Sequence, residues 1–150
     1  MSSVLIVDDD PRVREILARW LAAAGYETQE AGDAEAALER LDAGACDVVL
    51  CDVVMPGRGG LWLVERARDL YPAVAMVLAT GVENVSPSAS LGGNVVDYLL
   101  KPFDRAAVLA AVGRARTWHE TAATRKASID GDDALGNWLR GGRSGGSEIK

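Results

Sequence analysis

Five short, mostly apolar runs alternate along the chain with segments of helical periodicity, and this alternation constrains the fold more than any other feature. The runs fall at 3–7, 27–31, 47–51, 74–79 and 96–100. Strands that alternate with helices are typical of βαβ units around a parallel sheet. Three of the runs are apolar on both faces, as buried parallel strands are, whereas 27–31 (ETQEA) is polar enough for an edge strand. The sequence therefore predicts an α/β fold built on a parallel sheet.

Capping residues predict where the intervening helices begin and end. In chain order, the predicted helices run from a cap at Asp10 with Pro11 to Gly25, from a cap at Asp33 to Gly44, from Gly59 or Gly60 to a stop before Pro72, and from a cap at Asp104 into the 120s. In the first helix, a stripe at spacings of three and four is predicted to face the core: Val13, Ile16, Leu17, Trp20, Leu21 and Ala24. Between the last two strands, Pro87 and the pair Gly92 and Gly93 leave room for only a short or distorted helix.

Composition narrows the class of protein. A length of 150 residues fits one domain of ordinary size, and a net charge of -6 disfavours a sequence-independent grip on nucleic acid phosphates. No apolar run approaches the ~20 residues of a membrane span, and no signal peptide precedes the first strand, so a cytoplasmic protein is expected. The only two cysteines, Cys46 and Cys51, are expected to be reduced, buried and small hydrophobic residues of the core.

Charged and hydroxyl side chains follow the predicted strands directly: Asp8, Asp9 and Asp10 after the first, Asp52 after the third, Thr80 after the fourth, and Lys101 with Pro102 after the fifth. Ligands of an open parallel sheet bind beyond the carboxyl ends of its strands, so these groups should meet at one edge. Asp10 is better explained as a helix cap. Clustered carboxylates repel each other unless a cation such as Mg²⁺ intervenes. An aspartate can then act as a nucleophile and form an aspartyl-phosphate, while a lysine and a hydroxyl donate to the phosphoryl oxygens.

With these motifs, the chain resembles a response-regulator receiver domain of two-component signalling over roughly residues 2–118. The stretches that carry the resemblance are "LIVDDDP", "VVLCDVVMPGRGG", "LATG" and "DYLLKPF". The resemblance implies a flavodoxin-like, doubly wound, five-stranded parallel sheet, (βα)5, with strand order 2-1-3-4-5. It also implies a cis bond between Lys101 and Pro102.

The resemblance further assigns roles, residue by residue. It implies Asp52 as the phosphoacceptor; Asp9, Asp52 and the backbone carbonyl of Val54 as Mg²⁺ ligands, with Asp8 in support; and Thr80, Lys101 and Tyr98 as the groups that stabilise the phosphoryl group and switch with it. The expected function is a phosphoacceptor signalling module rather than an enzyme. The expected partners are a sensor histidine kinase or phosphotransfer protein and a downstream protein, without direct contact with nucleic acid or membrane. A homodimer through the face of the fourth helix, fifth strand and fifth helix is one option.

A phosphatase of the haloacid-dehalogenase-like class is the alternative. "DDDPR" imitates the Asp-x-Asp start of that family, and "DGDDALGN" at 130–137 imitates its late acidic motif. However, Arg12 stands where a threonine or valine is expected, and no hydrophobic strand precedes "DGDD". This alternative also leaves Asp52 without a role.

The domain organisation predicted from the sequence is a receiver domain over 1–120 and a C-terminal extension over 121–150 without an output domain. Six of the sixteen glycines lie in the last thirty residues, so the extension is expected to be mostly disordered, with one helical turn around "ALGNWL". Trp138 in this extension is a candidate docking residue. His119, the only histidine, is expected to be solvated on the last helix.

Overall fold

A five-stranded parallel sheet lies at the centre of the structure, a computed structural model that describes residues 2–44, 46–81 and 93–136. The strands are β1 (Ser3–Val7), β2 (Glu27–Ala31), β3 (Val48–Asp52), β4 (Ala75–Thr80) and β5 (Val95–Leu100). Their order across the sheet is β2-β1-β3-β4-β5, the doubly wound flavodoxin-like order. The predicted fold class is therefore confirmed, and every strand matches its predicted bounds to within one residue.

Four helices connect and follow these strands within the described residues: α1 (Pro11–Ala23), α2 (Ala34–Asp42), α3 (Gly60–Leu70) and α4 (Arg105–Gly136). Aspartate side chains cap three of them as predicted, with Asp10, Asp33 and Asp104 accepting hydrogen bonds of 2.9, 2.7 and 2.8 Å from backbone N–H groups in the first turn. The segment 82–92, where the sequence predicts a short or distorted helix, lies outside the described residues.

Successive side chains of each strand point to opposite faces of the sheet, so the core has two parts, one on each face. On one face, the strands pack against α1 and α4 through a buried cluster that includes Val4, Ile6, Leu50, Leu17, Leu21 and Val112. On the other face, they pack against α2 and α3 through a cluster that includes Leu5, Val7, Val49, Leu41, Leu63 and Ala67. Each fully buried valine, leucine or isoleucine side chain in these clusters contributes about 1.5–3 kcal/mol. With both faces covered, the carboxyl ends of the strands remain as the place for a site.

The predicted core stripe of α1 is wrong at two positions. Ile16 is 42% exposed and Ala24 is also exposed, whereas Leu17 and Leu21 are buried. Periodicity predicts which side of a helix is apolar. How much of that side the sheet buries depends on the angle at which the helix packs across the strands. Here the sheet covers only part of the stripe, which leaves Ile16 on an apolar surface.

The prediction for His119 is also wrong, because its ring is held at the end of the sheet opposite to the carboxyl ends of the strands. The ring Nδ1 lies 2.6 Å from the backbone carbonyl of Ala73, and Nε2 lies 3.2 Å from the Asp47 carboxylate. The other oxygen of Asp47 accepts a hydrogen bond of 3.1 Å from the backbone N–H of Ser3. The histidine therefore ties α4 to the starts of β1, β3 and β4. No sequence pattern predicts this, since the contact joins residues far apart in the chain.

The chain divides into two units, Met1–His119 and Glu120–Lys150, and the first contains the sheet. Of the second, the structure describes residues 120–136, which are helical. The last helix thus reaches the 120s, as the sequence predicts, and continues to Gly136. The mostly disordered extension over 121–150 stays a prediction, since residues 137–150 lie outside those described. Trp138 lies outside the described residues. Among those that are described, no helix combines the length and apolarity of a membrane span.

Candidate functional site

Three carboxylates meet where β1 and β3 end. β1 and β3 are neighbours with Val7 opposite Cys51, so the residues that follow, Asp8 and Asp52, come to lie side by side. Ligand oxygens of Asp8, Asp9 and Asp52 all lie within 4.8 Å of one another. Asp8 and Asp52 are buried, at 3% and 7% exposure, whereas Asp9 is exposed. The structure thus brings together the carboxylates that the sequence singles out, and it places Asp10 on α1 as a cap.

Lys101 supplies the positive charge at this cluster. Its Nζ lies 3.1 Å from Asp8 Oδ2 and 3.0 Å from Asp52 Oδ2, so one ammonium is shared by two buried carboxylates. The lysine is placed by β5, whose end is tied to β4 by a 2.8 Å hydrogen bond from the Lys101 N–H to the carbonyl of Thr80. The bond between Lys101 and Pro102 is cis, as the resemblance implies.

Backbone N–H groups fix the two buried carboxylates. The N–H of Val54 donates to Asp52 Oδ1 at 3.1 Å, and the N–H of Asp10 donates to Asp8 Oδ1 at 2.9 Å. Each carboxylate therefore has one oxygen held by backbone and the other held by Lys101. The side chain of Val54 itself points into solvent, with 55% exposure.

The pKa shifts of Asp52 and Lys101 indicate that the lysine only partly compensates the negative charge of the carboxylates. Burial raises the pKa of Asp52, and this outweighs the hydrogen bonds from Lys101 and the Val54 N–H, which favour its ionised form. Burial alone lowers the pKa of Lys101, but its hydrogen bonds and charge interactions with Asp52 and Asp8 leave it above the ordinary value. The lysine stays charged, yet one ammonium faces three carboxylates. Hard oxygen donors with excess negative charge fit Mg²⁺, which takes one or two carboxylates together with water and phosphate oxygens.

Thr80 and Tyr98 lie on the two strands next to the cluster. Thr80 is the last residue of β4, one residue beyond Ala79, which is the partner of Asp52 in the sheet. Its side chain is fully buried. Tyr98 pairs with Leu78 in β4 and is partly buried against the core on the α2 and α3 face. The expected switch residues are therefore near the carboxyl ends of the strands, on the side of β3 away from β1.

Gly60 is a residue of the site that sequence reasoning missed. Its N–H donates to the carbonyl of Val53 at 2.9 Å, and an added Cβ would lie 2.5 Å from the carbonyl oxygen of Asp52. The same Cβ would lie 2.9 Å from the Cα of Val53. The start of α3 can thus approach the end of β3 only because residue 60 has no side chain. The glycine pair at 59 and 60 signalled a helix start, but not this close approach.

The thiol nearest to the site has no part in its chemistry at neutral pH. Burial raises the pKa of Cys51, and burial also raises the pKa of Cys46 to about 11, so both remain protonated. Both cysteines are free, as expected, although Cys46 is only partly buried. Burial therefore favours the thiol over the thiolate at both cysteines.

The acidic motif of the phosphatase alternative is placed on a helix. Residues 130–136 of "DGDDALGN" belong to α4, and no strand presents them. That class of phosphatase needs its acidic motifs at strand ends, so the structure gives this alternative no support.

Comparisons with known proteins agree with the geometry. A family model described as response regulator receiver domain matches residues 4–113. The response regulator protein FleR of Pseudomonas aeruginosa is 37% identical over 114 residues, and the DNA-binding transcriptional regulator NtrC of Escherichia coli (strain K12) is 34% identical over 113 residues. Each alignment covers 75% of this chain and 24% of the relative, so the chain spans about a quarter of the length of these relatives.

A solved structure of similar fold has a ligand bound. The response regulator protein TrrA of Thermotoga maritima, in complex with Mg²⁺-BeF, is 29% identical and superposes with a TM-score of 0.67. The alignment covers 77% of this chain and 99% of that chain. None of these matches is a phosphatase. The chain belongs to the response regulator receiver domain family, whose members are phosphoacceptor signalling modules.

Proposed function

We propose that the chain accepts a phosphoryl group on Asp52 from the phosphohistidine of a sensor histidine kinase or phosphotransfer protein, with Mg²⁺ as cofactor. The observation that carries the proposal is the imbalance at the site, where carboxylate oxygens within 4.8 Å of one another share a single ammonium. Receiver domains bind Mg²⁺ at such an acidic pocket. A divalent cation and an incoming phosphoryl group complete an arrangement of this kind.

The residues of the site have distinct proposed roles. Asp9, Asp52 and the backbone carbonyl of Val54 would hold Mg²⁺, which neutralises charge on the carboxylates and on the phosphoryl oxygens. Asp8 would support them, because its carboxylate is already bonded to Lys101 and to a backbone N–H. A carboxylate oxygen of Asp52 would attack phosphorus as the bond to the histidine nitrogen breaks, and Lys101 would donate to the transferred oxygens.

The output is a change of surface rather than a released product, so we propose that the chain is not an enzyme in its own right. Phosphorylation of an aspartate adds negative charge and acceptor oxygens beside Thr80. The buried Thr80 hydroxyl would turn toward these oxygens, and Tyr98 would change rotamer in the space that this opens. Such a change biases a two-state surface that a downstream protein recognises.

An apolar groove beside the site supports a protein as phosphodonor. The groove has a volume of about 420 Å³ and lies between α1 and the loop after β5, lined by Val13, Ile16, Leu17, Trp20, Lys101, Pro102 and Phe103. Lys101 both lines the groove and contacts Asp52, so whatever fills the groove lies next to the phosphoacceptor. We propose that a helix of the phosphohistidine protein fills it.

The remaining expectations belong to the same proposal. The first 120 residues would act as the receiver and 121–150 as an extension, in keeping with a family match that ends at residue 113. The net charge of -6 disfavours direct contact with nucleic acid. The two free thiols favour the cytoplasm, because reducing compartments keep cysteines unpaired. A homodimer in the phosphorylated state would form through β5, α4 and the segment 82–92 between β4 and β5, which lies outside the described residues.

Phosphorylation by a small donor tests the proposal. We expect acetyl phosphate with Mg²⁺ to add one phosphoryl group to the wild type, seen by intact mass, and to add none to Asp52→Ala. Asp69→Ala, at an exposed aspartate of α3, is the matched control and should be labelled like the wild type. Labelling that persists in Asp52→Ala would contradict the assignment. Sustained turnover of p-nitrophenyl phosphate would contradict the signalling role, and sizing before and after labelling tests the homodimer.

A further inference from the structure

We propose that Arg14 is a positioning residue for the metal, because it fixes the peptide between Asp8 and Asp9 and so sets the direction of the Asp9 carboxylate. This inference rests on the proposed function, in which Asp9 is a Mg²⁺ ligand. Arg14 follows no strand end and makes no contact with the carboxylates themselves. Its guanidinium acts through the backbone that carries them.

Arg14 bridges three elements of the fold. From α1, its Nη1 donates a 2.6 Å hydrogen bond to the backbone carbonyl of Asp8, at the end of β1. Its Nε donates at 3.1 Å to Glu30 Oε1 on the edge strand β2. Only 20% of the Arg14 side chain is exposed, and its bond to the Asp8 carbonyl is partly buried, whereas Glu30 is 43% exposed. A hydrogen bond from a charged donor is shorter and stronger than one between neutral groups.

The bridge completes a frame around the Asp8 backbone. The Asp8 N–H donates to the carbonyl of Ala31 at 3.2 Å, and the Asp8 carbonyl is tied through Arg14 to Glu30, the preceding residue of β2. The peptide unit is planar, so a fixed carbonyl of Asp8 also fixes the N–H and Cα of Asp9. The next peptide is held as well, because the Asp10 N–H donates to Asp8 Oδ1 at 2.9 Å. With the peptides on both sides of Asp9 held, the direction in which its side chain leaves the backbone is restricted.

Asp9 depends on this frame more than the other carboxylates do. Asp8 and Asp52 are buried and bonded at both oxygens, whereas Asp9 is exposed. Over the described ranges 2–44, 46–81 and 93–136, its carboxylate makes no hydrogen bond or ion pair. Mg²⁺ requires near-ideal octahedral geometry, so a ligand side chain that is not held in one orientation lowers the affinity for Mg²⁺.

The direction in which Mg²⁺ affinity changes when Arg14 is removed distinguishes a positioning role from a direct electrostatic effect. Removing a positive charge near a cation site should strengthen cation binding, because the charge repels the ion. A loss of Mg²⁺ affinity on removal of Arg14 therefore has to come from geometry. Ca²⁺ accepts irregular coordination, so loosening Asp9 should weaken Mg²⁺ binding far more than Ca²⁺ binding.

The experiment measures metal binding without any phosphodonor. Calorimetric titration of the full chain with Mg²⁺ and with Ca²⁺ is compared for the wild type, Arg14→Ala, Arg14→Lys and Arg12→Ala. We expect Arg14→Ala to raise the Mg²⁺ Kd about tenfold, as substitutions behind metal ligands do. Arg14→Lys should recover only part of the affinity, since one ammonium does not reproduce the two directions of the guanidinium fork. Arg12 is the matched control, because it lies on the same helix with a side chain 88% exposed, and its removal should not raise the Kd.

Several outcomes would overturn the inference. An unchanged Mg²⁺ Kd in Arg14→Ala would do so, as would equal losses for Mg²⁺ and Ca²⁺. A merely structural role would lower the melting temperature without metal and leave both Kd values alone. If Arg14→Ala does not fold, Glu30→Gln decides, because the Glu30 side chain is 43% exposed and the fold should tolerate its change. We expect a smaller loss of Mg²⁺ affinity than in Arg14→Ala, with a still smaller loss for Ca²⁺. An unchanged Mg²⁺ Kd overturns the inference, and so do equal losses for the two ions, which removal of the Glu30 charge alone would give.

The same titration separates this inference from the proposed function. A wild type that binds Mg²⁺ and is labelled on Asp52, while Arg14→Ala and Glu30→Gln bind Mg²⁺ equally well, contradicts only the role of Arg14. A wild type that neither binds Mg²⁺ nor is labelled contradicts both.

Discussion

Asp8 and Asp52 are fixed in place by the protein alone, before any ligand contributes. Each has one carboxylate oxygen on a backbone N–H and the other on Lys101. Groups held in this way need little reorganisation when charge arrives, which is the basis of preorganised sites. The backbone beneath them must then be equally well fixed. For Asp52, that support comes from the start of α3 at Gly60.

Gly60→Ala tests this support. The new Cβ would lie 2.5 Å from the carbonyl oxygen of Asp52, so either β3 or α3 has to move. We expect a loss of about 1–3 kcal/mol in the free energy of unfolding, measured by urea denaturation, as overpacking in a tight core gives. Because the displaced carbonyl belongs to Asp52, the proposed phosphoacceptor, labelling by acetyl phosphate should also slow.

Gly113→Ala is the control for this substitution. Gly113 lies inside α4, and a Cβ added there meets no atom within 4 Å. Alanine in a helix interior should stabilise by about 0.5–1 kcal/mol relative to glycine. If Gly60→Ala were as stable and as readily labelled as Gly113→Ala, the close approach would have no importance for the site.

These residues also show how far the sequence predicts the site. The meeting of Asp8, Asp9, Asp52 and Lys101 was predictable because each lies at or just beyond the carboxyl end of a strand, and the carboxyl ends of parallel strands share one edge. Gly60 was not, because a missing side chain matters only where two backbones approach closely. Contacts such as that of His119 with Asp47 depend on the path of the chain between distant segments, which no local pattern encodes.

Helix α1 serves two surfaces at once. Leu17 and Leu21 bury against the sheet, while Ile16 and Trp20 line the groove beside Lys101. Both sets belong to one apolar stripe in the sequence, and this stripe correctly predicted a helix with one apolar side. Periodicity could not separate them, because a docking surface and a core face have the same spacing.

Ile16→Asp tests the groove as the docking surface for the phosphodonor. A carboxylate there places an unpaired charge in an apolar contact, so we expect phosphotransfer from a phosphohistidine protein to fall about tenfold, equivalent to the loss of ~1.4 kcal/mol of binding. Ile16 is 42% exposed, so the fold should tolerate the change. Labelling by acetyl phosphate, which needs no docking, should stay at the wild-type rate.

Leu70→Asp supplies the matched control. Leu70 is also apolar and is 55% exposed, but it ends α3 at the edge of the sheet away from the site. It should leave both rates unchanged. Equal slowing by the two substitutions, or none by Ile16→Asp, would contradict the groove as the docking surface.

Carboxylates lie at both ends of the sheet, but only those at the carboxyl ends of the strands form a cluster. Near the starts of the strands, the Asp47 carboxylate lies 3.2 Å from His119 Nε2 and accepts a hydrogen bond from the backbone N–H of Ser3. Near their carboxyl ends, Asp8, Asp9 and Asp52 share Lys101. Sites that bind charged ligands are often kept at a cost to stability, and the ligand then restores what the empty site lacks.

The raised pKa of Asp52 shows how this cost in stability depends on pH. Burial raises it in the folded state, so the folded protein holds that proton to higher pH than the unfolded chain does. Stability therefore falls as the pH rises from the unfolded pKa through the folded one, and the cost is fully present above that window. At neutral pH without Mg²⁺, an ionised Asp52 thus destabilises the fold.

Asp52→Asn should accordingly stabilise the metal-free protein while abolishing its function. We expect a gain on the order of 1 kcal/mol in the free energy of unfolding at neutral pH, because the pocket is partly solvated and its repulsion is screened. In a domain of this size that corresponds to a rise of roughly 4 °C in Tm. Tenfold excess of Mg²⁺ over its Kd should stabilise the wild type by about 1.4 kcal/mol and the variant by much less.

Thermal unfolding with and without Mg²⁺ measures both effects. Asp69→Asn makes the same change in net charge at an exposed position of α3, so it should alter neither the metal-free Tm nor the gain from Mg²⁺. The gain in metal-free stability of Asp52→Asn should also shrink at acid pH, where Asp52 is protonated in the wild type. A variant less stable than the wild type without Mg²⁺ would mean that the Lys101 ion pair outweighs the burial of Asp52, and the strain in the site would have to lie elsewhere.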